Sequence, residues 1–247
     1  MGQPFARFHQ LSSNLILNER ELLGVLMTAD IIKERRGLAA AFSLCALASL
    51  TLLASHPSGS PGRFADLVKD EAAHQVIDGV VHGGFVATLV ALIICFVLWS
   101  RFLGLAKPPV VTGLVCFCVG CGALIASMVL DGFATPAIAV RFAGNDDLQP
   151  AKTLFVLVGT LIRFLMPMGL LFQFVAMLSW SSVIVKGPRL ARAVGLAGLV
   201  VATFLVVAIF AVPSVMAAHV ILAGVALQAI WYLAIAALLF KSWPPSH

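Results

Sequence analysis

Hydrophobic positions gather in six long runs, at about 38–55, 76–103, 109–131, 154–181, 193–212 and 216–240. Each approaches or exceeds the ~20 residues an α-helix needs to cross a ~30 Å hydrocarbon core, and none alternates as a strand would. The pattern predicts an all-α membrane protein whose residues 38–247 form a six-transmembrane-helix bundle. Residues 1–37 follow another rule. Leu15, Ile16, Leu22, Leu23, Leu26, Met27, Ile31 and Ile32 recur at helical spacing among charged residues. That spacing predicts an amphipathic N-terminal helix, capped by Ser12 or Ser13 and closing near Lys33, Arg35 and Arg36. Such a helix lies on membrane lipids or docks a protein partner.

Polar punctuation orients the runs. Arg101 and Lys107, then Lys186, Arg189 and Arg192, then Lys241 follow the even-numbered runs, and Lys33, Arg35 and Arg36 precede the first. Six alternating helices put all of them on one side. The opposite connections carry Asp66, Asp70, Glu71, Asp146 and Asp147. The excess of cations on one side predicts cytoplasmic N and C termini in a bacterial cell inner membrane. Within the opposite connections, His56–Gly62 is a loop by composition, and Asp131-Gly-Phe-Ala-Thr-Pro136 reads as a helix end followed by a turn. Pro167 interrupts the fourth run and predicts a kink just below Arg163.

Composition agrees with lipid as the main solvent. Hydrophobic residues make up 61% of the 247-residue chain and charged residues 11%, against roughly 25% charged in soluble domains. The net charge of +5 sits in the short connections as topology markers, so nucleic acid is not an expected partner. The five cysteines, Cys45, Cys95, Cys116, Cys118 and Cys121, all lie in apolar runs and read as small buried hydrophobes. Only Cys118 and Cys121 of the Cys116–Cys121 string share a helix face. Gly113, Gly120 and Gly122 beside them read as close-packing positions. No cleavable leader is evident in the first 37 residues.

The candidate chemistry starts at Glu71-Ala-Ala-His74-Gln-Val-Ile-Asp78-Gly79-Val-Val-His82-Gly83. His74, Asp78 and His82 stand at i, i+4 and i+8, one face of a helix that drifts about 40° per step. Gly79 and Gly83 form a small-xxx-small pair beside them that would admit a neighbouring helix. Counting from the cations at ~1.5 Å per residue places His82, Asp131, Arg163 and His219 in one layer, roughly 29–36 Å above the basic side. Arg163 would point into the bundle and pair with Asp131, while Gln173 and Gln228 lie deeper and bridge helices.

Two histidines and a carboxylate suit a transition metal, zinc, copper or iron. His74, Asp78 and His82 would chelate from one helix, with His219 or Asp131 completing the shell, and Arg163 would hold an anionic group. A haem between His82 and His219 ranks below a metal ion. The Asp78-xxx-His82 piece resembles the metal-binding helix of the membrane-bound copper monooxygenases of methane and ammonia oxidation, which implies copper at these two residues. That family's pattern has a further His about thirteen residues on, where this chain has Cys95. A zinc-dependent intramembrane hydrolase would use a comparable set, but the chain has no His-xxx-His pair. The functional expectations are a metal- or small-ligand-binding membrane protein, possible as a metalloenzyme with unknown catalytic residues. The alternatives are an accessory subunit with a structural polar layer and a proton- or ion-coupled transporter. Transport ranks last because Thr88 is the one polar side chain in the second run between His82 and Cys95.

Overall fold

The structure is a computed structural model that describes residues 30–55, 62–211, 218–241 and 243; at 211 and 218–220 only the backbone is described. Among the described residues it is all-helical. The helices are α1 (Asp30–Ala54), α2 (Phe64–Leu103), α3 (Pro108–Val129), α4 (Thr135–Phe142), α5 (Gln149–Ile184), α6 (Arg189–Ala211) and α7 (Ala218–Phe240). A π-helical turn, Leu130–Ala134, joins α3 to α4 without a break. Counting α3 to α4 as one, six helices among the described residues are long and apolar enough to cross a membrane. The protein is a polytopic membrane protein.

Helix ends follow local chemistry. α2 stops at Gly104, whose φ of 98° lets its N–H reach back to the Ser100 and Arg101 carbonyls. Such a φ suits glycine because it has no Cβ. α3 opens on Pro108 and Pro109, whose missing N–H groups cost nothing in a first turn. α5 continues through Pro167 as one helix.

Several expectations change. Lys33, Arg35 and Arg36 lie within α1, in one helix with the first apolar run. A transmembrane helix can carry its charged flank in the same helix because its backbone bonds are internal. Ser12, Ser13 and the rest of the amphipathic segment up to residue 29 lie outside the described residues, as does most of the 56–62 loop. α2 begins twelve residues before the predicted 76, and α5 five before the predicted 154. The chain from Asp131 to Pro136 is no turn: the helix widens there and continues to Phe142.

The bundle is tied together at its basic end by an aromatic cluster. Phe96 of α2 stacks on Trp180 of α5 at 4.3 Å and meets Phe42 of α1, Phe117 of α3 and Tyr232 of α7 at 4.9, 4.4 and 5.4 Å. Offset and edge contacts of this kind add to simple burial. α3 and α5 pack closely along their length. Their backbones touch: a Cβ on Gly120 would come within 2.7 Å of the Gly169 carbonyl, and one on Gly113 within 2.9 Å of the Trp180 ring. These two glycines are the close-packing positions expected, whereas Gly122 faces open space. Across the middle of the bundle, Gln228 donates to Gln173 at 3.0 Å and Gln173 to Cys121 at 3.3 Å. This chain links α7, α5 and α3 and is the helix bridging predicted for Gln173 and Gln228. All five cysteines are free.

The helices differ in reach. α1 has 25 residues, and α6 and α7 have 23 each, near the length that spans the hydrocarbon. α2 has 40 and α5 has 36, and α3 to α4 is 35 residues of continuous helix. Leu52, near the end of α1, packs at Gly84. Beyond that level α2, the π turn with α4, and the first half of α5 continue past α1. Phe64 and Phe155 meet edge to face at 5.5 Å near the tip.

Candidate functional site

The π turn has a local cause. Pro136 has no N–H for the Gly132 carbonyl, and its ring crowds that oxygen. The Thr135 N–H therefore reaches one residue further back, to the Leu130 carbonyl, and the Thr135 hydroxyl donates to the same oxygen at 3.1 Å. One inserted residue turns the following helix by about 100°. π turns of this kind recur at functional sites, and this one carries Asp131 and Gly132.

Against it lies the buried face of α2. A Cβ on Gly132 would overlap the Cβ and ring of His82, so the imidazole rests directly on the π-turn backbone. His82 is 2% exposed. Its Nδ1 lies 2.9 Å from the Asp78 carbonyl and its Nε2 3.2 Å from Asp131 Oδ2. A carbonyl only accepts, so Nδ1 carries a hydrogen and donates. One proton is then shared between Nε2 and the Asp131 carboxyl, on one partner or the other. The Asp131 side chain is 36% exposed, against 3% for that of His82, so the pair opens on the Asp131 side.

Asp78 is 6% exposed, and no hydrogen bond or ion pair reaches its carboxylate among the described residues. Glu71, half-buried two turns further along the same face, shares the electrostatic field of Asp78, Asp131, His74 and His82. Gly79 and Gly83 lie under the half-exposed Phe133 ring, with hypothetical Cβ contacts of 3.8 and 3.5 Å. A neighbouring side chain, rather than a neighbouring backbone, covers the small-xxx-small pair.

The predicted residues therefore separate. Asp78, His82 and Asp131 come together. His74 is exposed and its Nδ1 faces the Asp70 carbonyl at 2.8 Å. Arg163 is exposed on α5, and the predicted ion pair with Asp131 is replaced by the one with His82. Gln173 is buried in the Cys121–Gln228 chain. His219 falls in the first turn of α7, where its side chain lies outside the description. Among the described residues no three His, Cys, Asp or Glu side chains gather as ligands for one metal ion. The residues missed from the sequence are Gly132, Phe133 and Glu71. The Gly–Pro spacing of Gly132 and Pro136 was the signal for the first, since proline frees the carbonyl four residues back.

Comparison of the chain with protein-family models, curated proteins and solved structures finds no match in any of the three.

Proposed function

We propose that this membrane protein binds a small ligand at the Asp78–His82–Asp131 site, at the level where α1 ends and the three longer helices continue. The observation that carries this reading is the His82–Asp131 pair, buried at His82 and open at Asp131, with the buried Asp78 one turn along the same face of α2. Ionisable groups held in a membrane span are costly, and packing alone gives no reason to gather three of them. Glycine at 132 gives the imidazole a fixed seat, and the exposed side of Asp131 supplies an entrance. By the distribution of cations, the basic end faces the cytoplasm of a bacterial cell and the site faces the opposite compartment.

A second reading, a transition-metal centre, rests on one distance. Two ligands of a single ion stand about 3 Å apart when each bond is ~2.0–2.2 Å, close to the 3.2 Å between His82 Nε2 and Asp131 Oδ2. The Nδ1 bond to a backbone carbonyl is also the usual support for a metal-binding imidazole. Further ligands would have to come from beyond the described residues or from solvent.

The test is thermal melting and calorimetry of the detergent-purified protein with zinc, copper and iron salts, organic cations and organic anions. Wild type is compared with His82→Ala and Asp131→Asn. Saturable binding of one class, lost in both variants, supports the reading. Wild type that melts cooperatively and is unmoved by every class leaves the cluster as a structural contact of α2 with the π turn.

A further inference from the structure

Two helices meet thiol to thiol near the basic end. Three contacts fix α1 and α2 in antiparallel register: Arg35 stands over the Phe102 ring at 5.3 Å, Phe42 meets Phe96 at 4.9 Å, and Leu52 packs at Gly84. That register brings Cys45 and Cys95 into the shared interface, where their thiols hydrogen-bond to each other. Both are more than nine-tenths buried and belong to the core of the bundle. The other three cysteines share α3, and there Cys121 accepts a hydrogen bond from the Gln173 amide. Among the described residues, Cys45 and Cys95 are the two thiols that meet across a helix pair.

Depth decides what chemistry this pair can do. Cys45 lies nine residues beyond Arg36 and Cys95 six before Arg101, roughly 9–14 Å into the apolar layer from the basic side. Leu44, Leu47 and Ile94 beside them are exposed, where lipid covers the bundle. Hydrocarbon gives no solvation to a thiolate. A metal ion on both sulfurs would need two thiolates, and no third ligand joins them among the described residues. A dithiol and a disulfide are both neutral, so passing between them places no charge in the membrane interior, where charge is costly. The co-reactant must then be apolar and must take two electrons together with two protons. We infer that Cys45 and Cys95 form a redox-active dithiol whose co-reactant is a lipid-soluble quinone. Two S–H bonds break and one Sγ–Sγ bond forms. The two electrons and two protons pass to the quinone, which becomes the quinol. The disulfide ties α1 to α2 beside the aromatic cluster of Phe42 and Phe96.

The probe is decylubiquinone, added without oxygen to the reduced full-length protein in phospholipid vesicles. Quinol is followed by absorbance, and after denaturation the remaining thiols are alkylated and the peptides mapped by mass spectrometry. Wild type should yield a Cys45–Cys95 disulfide with one quinol formed per disulfide, while Cys116, Cys118 and Cys121 stay alkylatable. Cys45→Ala and Cys95→Ala should each lose both the bond and the quinol, and Cys116→Ala should keep both. The wild-type map needs no variant, so the test stands if either alanine variant misfolds. Quinone that leaves Cys45 and Cys95 alkylatable in cooperatively melting wild type overturns the inference. A disulfide between any other pair overturns it too. So does a Cys45–Cys95 disulfide formed as readily by hexacyanoferrate(III), a water-soluble one-electron acceptor, as by the quinone.

Discussion

Gly132 and His82 set the geometry of the site by contact rather than by charge. Gly132→Ala forces a Cβ into the imidazole, and overpacking of this kind costs roughly 1–3 kcal/mol. A clear drop in melting temperature in detergent is expected. Gly79→Ala and Gly83→Ala meet Phe133 at ordinary van der Waals distance, and both should melt near wild type; a reversed order would contradict the packing described. The proton arrangement can be checked separately. With ¹⁵N-labelled histidine, Nδ1 of His82 should carry its hydrogen across the stable pH range, since it donates to the Asp78 carbonyl. A spectrum with a bare Nδ1 would sink that assignment. The histidine ladder was legible in part. Its face drifts about 80° between His82 and His74, enough to carry His74 out to solvent while Asp78 and His82 stay against the π turn.

At the scale of the element, the π turn is what brings Asp131 to His82. Pro136→Ala returns an N–H to the Gly132 carbonyl and lets the turn close to α-helix. The His82–Asp131 signature in the ¹⁵N spectrum should then disappear while the melting temperature holds or rises. An unchanged signature would mean that tertiary packing, not proline, maintains the widened turn. Glycine and proline in Asp131–Pro136 read as a turn because both break helices in water. Backbone groups at membrane depth have no water to bond, so the chain instead stays helical and shifts its bonding by one residue. The Gln173–Gln228 bond offers a second measurement at this scale. Gln173→Leu leaves the buried Gln228 amide without its acceptor, and Gln228→Leu leaves the Gln173 amide oxygen without its donor, each at a cost of about 1–3 kcal/mol. The double variant should recover most of that loss, giving a coupling nearer the ~0.6 kcal/mol average for polar contacts between membrane helices. Additive losses would mean the two amides do not depend on each other.

At the scale of the whole molecule, three helices of about membrane length stand, among the described residues, beside three that run further. α2 alone is about 60 Å long, twice the hydrocarbon thickness, and the site lies where the lengths diverge. An even number of spans puts the turn at 104–107 and the turn at 185–188 on one side and Asn145 on the other. In a cysteine-free background, Lys107→Cys and Lys186→Cys should react with an impermeant maleimide from one side only, and Asn145→Cys from the other. Labelling of all three from the same side would refute the six-span path. If intact cells label only Asn145→Cys, the site end faces outward, as the cations predict.

Helix existence, number and order followed from the sequence, because six apolar runs of membrane length leave a lipid-solvated backbone little choice but helix. Interhelical polar contacts were partly legible too, since a lone Gln173 or Gln228 in an apolar run needs a partner. What only the tertiary structure decided was which polar side chains meet. Depth along a helix can be counted from the sequence, but the direction a residue faces cannot, as Arg163 demonstrates: it lies in the predicted layer and points away from the bundle. The inserted residue of the π turn, invisible to a 3.6-residue periodicity, turned Asp131 and Gly132 onto His82.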